Sequence, residues 1–151
     1  MSVAVAAPHP AAIDAAPPHT LCPTSATTPD GDVVALGCRG GRSQPWIPAQ
    51  VAPFVLDSED LAGLLARPRW IIGGREIDRD VPTLPLEPGT PGVDALVRTA
   101  EGLDLVVDVT AGPHDDAGHV RVARLTGGAL AAAGDPRADG LAAVLPAGGP
   151  R

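Results

Sequence analysis

The stretch from Leu103 to Leu125, LDLVVDVTAGPHDDAGHVRVARL, constrains the fold more than any other part of this 151-residue chain. Apolar side chains recur at every second position in its first half and again near its end, which is typical of half-buried strands. Between them, residues 111–118 contain Gly, Pro and two Asp, which favour a loop. The stretch therefore predicts an antiparallel hairpin with strands Leu103–Thr110 and His119–Ala123.

A second hairpin is predicted near residues 69–77, where Gly73-Gly74 separates two short apolar runs. Paired glycines favour the two-residue turns that need positive φ. The same glycines are not a phosphate loop, because the GxxxxGK[ST] spacing is missing. Residues 78–92 then carry four prolines, which predict a loop or an edge strand because proline is excluded from central strands.

Two short helices are also predicted. The first spans residues 56–67, with Asp57 as the predicted N-cap and Asp60 three positions later, and Pro68 follows its last residue. A second helix is predicted over residues 91–100, with Gly102 as its stop.

Together these elements predict an α+β fold that is mainly β, with a small antiparallel sheet, one or two short helices and extended Pro-rich ends. The predicted organisation is an extended Ala/Pro-rich arm over residues 1–29 and a single globular domain over 30–127. An Ala/Gly-rich C-terminal tail with short helical turns follows over 128–151. Only three aromatic residues are present, so the predicted core is aliphatic and small.

The composition narrows the class of protein. A formal net charge of -7 without basic stripes argues against nucleic-acid binding. No apolar run approaches the ~20 residues of a membrane span, and the N-terminus lacks a positively charged leader. We therefore expect a cytoplasmic protein or one assembled into a particle. Abundant Ala, Gly and Pro, with arginine as the basic residue throughout, are typical of a GC-rich bacterium or its phages.

Cys22 and Cys38 flank the predicted Asp30-Gly31 turn and could face each other across a hairpin. Three alternatives stay open for them. They are two reduced thiols, a disulfide, or zinc ligands together with His19. The zinc alternative lacks a CxxC pair and a complete ligand set.

His114, Asp116 and His119, with Asp115 between them, are the candidate metal ligands of this chain. Imidazole and carboxylate suit a divalent ion, but the spacing differs from HExxH, which needs a helix. The alternatives are a solvated hairpin tip, in which Asp residues stabilise the turn, and a loop that contacts a partner.

Trp46 between Pro45 and Pro48 is the candidate partner-binding residue, because a tryptophan in a Pro-rich segment can anchor in a groove of another protein. The alternative is that Trp46 covers the core of its own chain.

No catalytic constellation is evident, because no serine lies in a GxSxG context and no cofactor fingerprint occurs, so no cofactor is expected. The leading prediction is therefore a non-enzymatic structural protein that docks on protein subunits, its own or those of a larger particle. A phage virion accessory protein, such as a capsid-decorating or tail-connecting subunit, is one form of it. The alternatives are a small metal- or ligand-binding module using the 114–119 loop, and an enzyme of unrecognised class.

Overall fold

The computed structural model describes residues 2–5, 22–74 and 77–145. Within these ranges the strands, in chain order, are β1 Ser2–Val5, β2 Thr24–Thr27, β3 Val33–Arg39, β4 Thr83–Leu86, β5 Val106–Val109, β6 His119–Thr126 and β7 Ala129–Gly134. The helices are α1 Trp46–Val51, α2 Leu61–Ala66 and α3 Val93–Gly102, with 3₁₀ turns at Gly41–Ser43, Ala52–Phe54 and Asp115–Ala117.

Five strands form one antiparallel sheet in the order β1-β2-β3-β6-β7. β3 lies at its centre and alternates exposed with buried residues, so that Val34 and Leu36 face the core. Val120 and Val122 of β6 face the same side. This alternation places one face of the sheet against the helices, as a period of two requires.

The helices α1 and α2 cover that buried face. Their aliphatic side chains pack with the inward residues of the strands, and no large aromatic ring takes part. The buried residues of this cluster are Ala26, Val34, Leu36, Ile47, Val51, Val55, Leu61, Leu64, Leu65, Ile71, Ile77, Val120, Val122 and Ala133.

A second, smaller unit is a strand–helix–strand arrangement. β4 and β5 pair in parallel, and α3 is the connection between them, as parallel pairing requires a crossover. Leu84, Leu86 and Ala100 form its buried centre. On its other edge β4 meets the preceding segment through isolated antiparallel bridges at Trp70 and Gly73.

The predicted hairpin over residues 103–125 is wrong, although both of its strands exist. β5 pairs with β4 in parallel, whereas β6 pairs with β3 and β7 in the larger sheet. A period of two identifies a strand and its buried face, but it carries no information about which neighbour the strand will pair with.

The predicted hairpin near residues 69–77 does not form as expected either. Its first arm bridges to β4 across Trp70–Leu86 and Gly73–Thr83 instead of to the residues after the glycines. Residues 75 and 76 of the second arm lie outside the described residues.

The helix predicted over residues 56–67 begins later, at Leu61, and Asp60 rather than Asp57 is its N-cap. The second predicted helix exists as α3. The helical turns predicted after residue 128 are wrong in part, because β7 occupies that stretch. β2 lies within the predicted arm, while the division into arm, domain and tail stays a prediction.

The fold is mixed α+β with more strand than helix and a small antiparallel sheet, as the sequence predicted. Among the described residues, none of the helices is both long and apolar enough to pass through a membrane.

Candidate functional site

The candidate site is built on the glycine turn, defined as Gly40 to Ser43, which follows the end of β3. The Ser43 N–H donates to the carbonyl of Gly40 at 2.8 Å and closes a single 3₁₀ turn. Gly41 has φ +50°, a left-handed conformation in which glycine is favoured because it has no Cβ. The turn presents backbone rather than side chain at its first two positions.

Glycine is also favoured at Gly40 and Gly118, because other atoms lie close to where a Cβ would be. A Cβ on Gly40 would lie 2.5 Å from Cδ1 of Ile47 in α1. Gly118, at φ +71°, passes so close that a Cβ there would lie 2.4 Å from the carbonyl oxygen of Arg39. The turn therefore packs directly on α1 and on the start of β6, which holds its position against the sheet.

Two clefts are lined in part by the glycine turn. The smaller, about 240 Å³, is lined by Arg39, both glycines of the turn and the carboxylate residues Asp115 and Asp116. The larger, about 500 Å³, is lined by Arg42 and Trp46, among others. Each cleft thus carries one arginine, the last residue of β3 beside an acidic loop in one case and a residue of the turn beside a tryptophan in the other.

Gln44 anchors the far end of the turn. It is buried, its side-chain Oε1 accepts from the Cys22 N–H at 2.9 Å, and its carbonyl accepts from the Cys38 thiol at 3.9 Å. Both cysteines are free. Burial, with a contribution from Cys22, raises the pKa of the Cys38 thiol to about 11, so this sulfur is protonated and a poor nucleophile at neutral pH.

No activated nucleophile is formed by the part of the chain that the structure describes. There, no serine, threonine or cysteine side chain is hydrogen-bonded to a histidine or a carboxylate. Ser43 is buried and its Oγ has no hydrogen-bond partner among these residues. The described residues therefore offer binding groups but no nucleophile–base pair of the kind that acyl transfer uses.

A second feature is a buried ion cluster, defined as Arg69, Glu87, Asp135 and Arg137. Arg69 pairs with Asp135, and Arg137 pairs with both carboxylates. All four side chains are at most 3% exposed. The cluster joins the segment after α2, the end of β4 and the segment after β7 into one body.

Both carboxylates of the cluster are held ionised. Burial raises the pKa of Glu87, but hydrogen bonds from Arg137 and from the backbone N–H groups of His114 and Arg69 outweigh it, so the pKa lies below its ordinary value. Burial likewise opposes ionisation of Asp135, and hydrogen bonds from Arg137, the Val120 N–H and Arg69 lower its pKa. Donors to the charged form thus dominate over desolvation.

Of the residues predicted to bind a partner, Trp46 lines the larger cleft. Trp46 begins α1 and is 39% exposed, and its ring lies 5.8 Å from that of Trp70. Pro48 is buried and Pro45 is exposed. Trp46 therefore packs partly on its own chain, and partner binding by these three residues stays a prediction.

The predicted metal ligands are divided between two contacts. His114 Nδ1 lies 3.2 Å from Asp116, and His119 Nε2 lies 3.2 Å from Asp115. Across residues 22–74 and 77–145, no three His, Cys, Asp or Glu side chains are grouped so that they could hold a metal ion. Zinc binding by the cysteines with His19 involves a residue outside the described ones.

Neither the ion cluster nor the glycine turn was predicted from the sequence. The cluster has no local signal, because its members lie up to 68 positions apart in the chain. The turn had a signal in Arg39-Gly-Gly-Arg42, where two glycines sit between two arginines directly after an alternating strand.

The chain is similar to known enzymes in sequence and in fold. No protein-family model matches the chain. Over 129 residues, 84% of the chain, it is 35% identical to the oxamate amidohydrolase proenzyme of Klebsiella pneumoniae. The match covers 24% of that protein, so the chain spans about a quarter of the length of this curated relative.

Three solved structures with a similar fold are transpeptidases. The crystal structure of the transpeptidase CapD from Bacillus anthracis matches with a TM-score of 0.61 and 18% identity, covering 84% of this chain and 72% of that chain. A gamma-glutamyltranspeptidase from Pseudomonas nitroreducens matches with a TM-score of 0.58 and 22% identity, covering 85% of this chain and 63% of that one. The gamma-glutamyltranspeptidase of Helicobacter pylori matches with a TM-score of 0.57 and 17% identity, covering 83% and 65%. At these identities the likeness shows the fold.

These findings overturn the leading functional prediction. The prediction of a non-enzymatic structural protein, including its virion and assembly forms, is wrong, because the sequence relative is an amidohydrolase proenzyme and the structural neighbours are transpeptidases. The alternative of an enzyme agrees better with them. The expected docking on protein subunits was not tested and stays a prediction.

Proposed function

We propose that this chain is part of an amide-hydrolysing enzyme whose substrate carries a carboxylate beside the amide. The observation that carries the proposal is the 35% identity over 129 residues to an oxamate amidohydrolase proenzyme. Oxamate is such a compound, a small anion with one amide and one carboxylate.

The glycine turn supports this choice of substrate. Arg39 and Arg42 are exposed and line the two clefts beside it. Arginine is suited to carboxylate recognition because its planar guanidinium donates two parallel hydrogen bonds. Gly41 carries no side chain and a Cβ there would meet nothing within 4 Å, so a bound amide can approach the backbone closely at this position. We assign carboxylate binding to these arginines.

Cleavage of the amide bond is assigned elsewhere. The described residues supply no hydrogen-bonded nucleophile–base pair, and the Cys38 thiol has a pKa raised to about 11. The proposal therefore gives the described part of the chain the task of holding and orienting the substrate, which is a large part of catalysis in its own right.

Ammonia release from oxamate by the full-length protein tests the function. We expect turnover of oxamate and much slower turnover of acetamide, which lacks the carboxylate. Arg39→Ala and Arg42→Ala should each raise KM for oxamate by about tenfold, the equivalent of about 1.4 kcal/mol of binding. kcat should change less, because the lost contact is made equally before and during the reaction.

Arg98→Ala is the matched control, since Arg98 is an exposed arginine on α3 and its replacement should leave KM unchanged. Two results would contradict the proposal at different points. The absence of ammonia release from every amide in a panel would remove the assigned activity. Oxamate turnover with an unchanged KM in both Arg39→Ala and Arg42→Ala would support the activity but contradict carboxylate binding by these arginines.

A further inference from the structure

We propose that Cys22 and Cys38 are a dithiol pair that closes to a disulfide and ties the segment before β2 to the end of β3, beside the glycine turn. The proposal assigns a modification site and stands apart from the proposed amide hydrolysis. Its ligand is a low-molecular-weight disulfide such as oxidised glutathione.

Strand register carries the first step. β2 and β3 are antiparallel, with Thr24 opposite Leu36. Cys22 precedes Thr24 by two residues and Cys38 follows Leu36 by two residues, so the register of this pair, continued by two residues beyond β2, sets the two cysteines opposite each other. Residues two apart on a strand share a face, so both point to the side that Thr24 and Leu36 occupy, where both of these are buried.

Directly opposite residues of an antiparallel pair have Cα atoms about 4.5–5.5 Å apart. A disulfide needs Cα atoms about 4.4–6.8 Å apart. The register, continued to Cys22 and Cys38, therefore predicts a Cα separation within the range that a disulfide needs.

The contacts of Gln44 are a second, independent indication that the two cysteines lie close together. Its side-chain Oε1 accepts from the Cys22 N–H and its carbonyl accepts from the Cys38 thiol. One buried residue thus holds both cysteines, each of them free and partly buried. The charge of Cys22 also contributes to the raised pKa of Cys38, which agrees with their proximity.

The chemistry proceeds by two exchanges. The Cys22 thiolate attacks one sulfur of oxidised glutathione, forming a mixed disulfide and releasing one glutathione thiolate. Cys38 then loses its proton to solvent and its sulfur attacks the Cys22 sulfur, releasing the second glutathione. One protein disulfide and two glutathione thiols result, so the two electrons lost by the protein reduce the glutathione disulfide. Cys22 attacks first because the raised pKa leaves Cys38 protonated.

The disulfide would change the glycine turn. Cys38 lies two residues before Gly40, and its thiol donates a hydrogen bond to the carbonyl of Gln44 just after the turn. Closing the disulfide consumes the thiol that Gln44 accepts from. The turn then depends on a covalent tie between the strands in place of that contact.

The test is incubation of the full-length protein with oxidised glutathione, followed by alkylation of free thiols and intact-mass and peptide analysis. We expect the wild-type mass to fall by two hydrogen atoms, with one peptide linking Cys22 to Cys38 and neither alkylated. The melting temperature should rise by roughly 5–10 °C, as for a closed loop of this length. In Cys38→Ser, the expected product is a single stable glutathione adduct at Cys22.

Three results would overturn the proposal. They are two glutathione adducts on the wild-type protein, two thiols that remain free, and a link between two molecules instead of within one. Should Cys38→Ser fail to fold, the wild-type peptide map decides alone, because a linked peptide supports the pair and any of these three products excludes it.

Discussion

At the scale of single residues, the buried ion cluster is the clearest case of side chains that depend on one another. Glu87 accepts hydrogen bonds from Arg137 and from the backbone N–H groups of Arg69 and His114. Since a buried charge is tolerated only when it is paired and hydrogen-bonded, each member depends on the others. The sequence could not reveal this, because Glu87 stands in a Pro-rich segment that reads as a loop, and Arg137 lies 50 residues away.

Replacing Glu87 with glutamine should destabilise the protein by about 3 kcal/mol. Glutamine keeps the shape and an acceptor oxygen but removes the charge, which leaves Arg137 with Asp135 as its remaining carboxylate partner. Urea unfolding at pH 7 measures the change. Glu101→Gln, at an exposed position of α3, is the control and should stay within about 0.5 kcal/mol of the wild type. A Glu87→Gln protein as stable as that control would contradict a stabilising role for the pair.

At the scale of elements, local patterns predicted where strands and helices lie better than they predicted which strands pair with each other. The alternation in residues 103–125 indicates two strands, and two strands are there. Their pairing was wrong because the connection between them does not close a hairpin, and α3 instead carries the chain into β5 beside β4. The partner of a strand is chosen by packing over the whole chain, which local periodicity does not contain.

The start of α2 offers a direct test at this scale. The Asp60 side chain accepts from the Gly63 N–H at 2.8 Å, which satisfies one of the free donors of the first turn. Asp60→Ala should therefore lower the free energy of unfolding by about 1 kcal/mol. The measurement is the midpoint of urea unfolding.

Asp57→Ala serves as the comparison, because Asp57 was the predicted N-cap and lies exposed before the helix. Its replacement should change stability by less than about 0.5 kcal/mol. Equal losses from both variants would show that capping at Asp60 does not account for the helix start.

At the scale of the whole molecule, the cluster couples stability to pH. The folded-state pKa values of Glu87 and Asp135 lie below their ordinary values. A carboxylate of this kind contributes stability that is fully present above its unfolded pKa of about 4 and is lost as the pH falls towards the folded value. Acid thus loosens the contacts that join α2, β4 and the segment after β7.

Stability should accordingly be constant from pH 7 to pH 5 as far as these groups are concerned. It should then fall by about 1–3 kcal/mol between pH 5 and pH 3. Urea unfolding across this range measures it. Glu87→Gln should show a shallower acid loss, because one of the two titrating carboxylates is gone. An identical pH dependence in the variant would place the acid sensitivity in other groups.

The error in the functional prediction also belongs to this scale. A small aliphatic core, acidic charge and no local catalytic motif favoured a structural protein, yet the sequence relative and the structural neighbours are enzymes. Net charge bears on solubility and association, not on catalysis. The clefts beside the glycine turn are lined by separate segments of the chain, and of these the Arg39-Gly-Gly-Arg42 segment alone had a contiguous signal.

By itself, the sequence determined the class of fold, the positions of β5 and β6 and the second helix, because these follow from side-chain periods and from glycine and proline chemistry over a few residues. Only the tertiary structure decided that β5 and β6 belong to different sheets, that Gln44 contacts both Cys22 and Cys38, and that four charges far apart in the chain form one buried cluster. Those outcomes depend on contacts between residues far apart in the chain, and such contacts are selected by the packing of the whole core rather than by any local pattern.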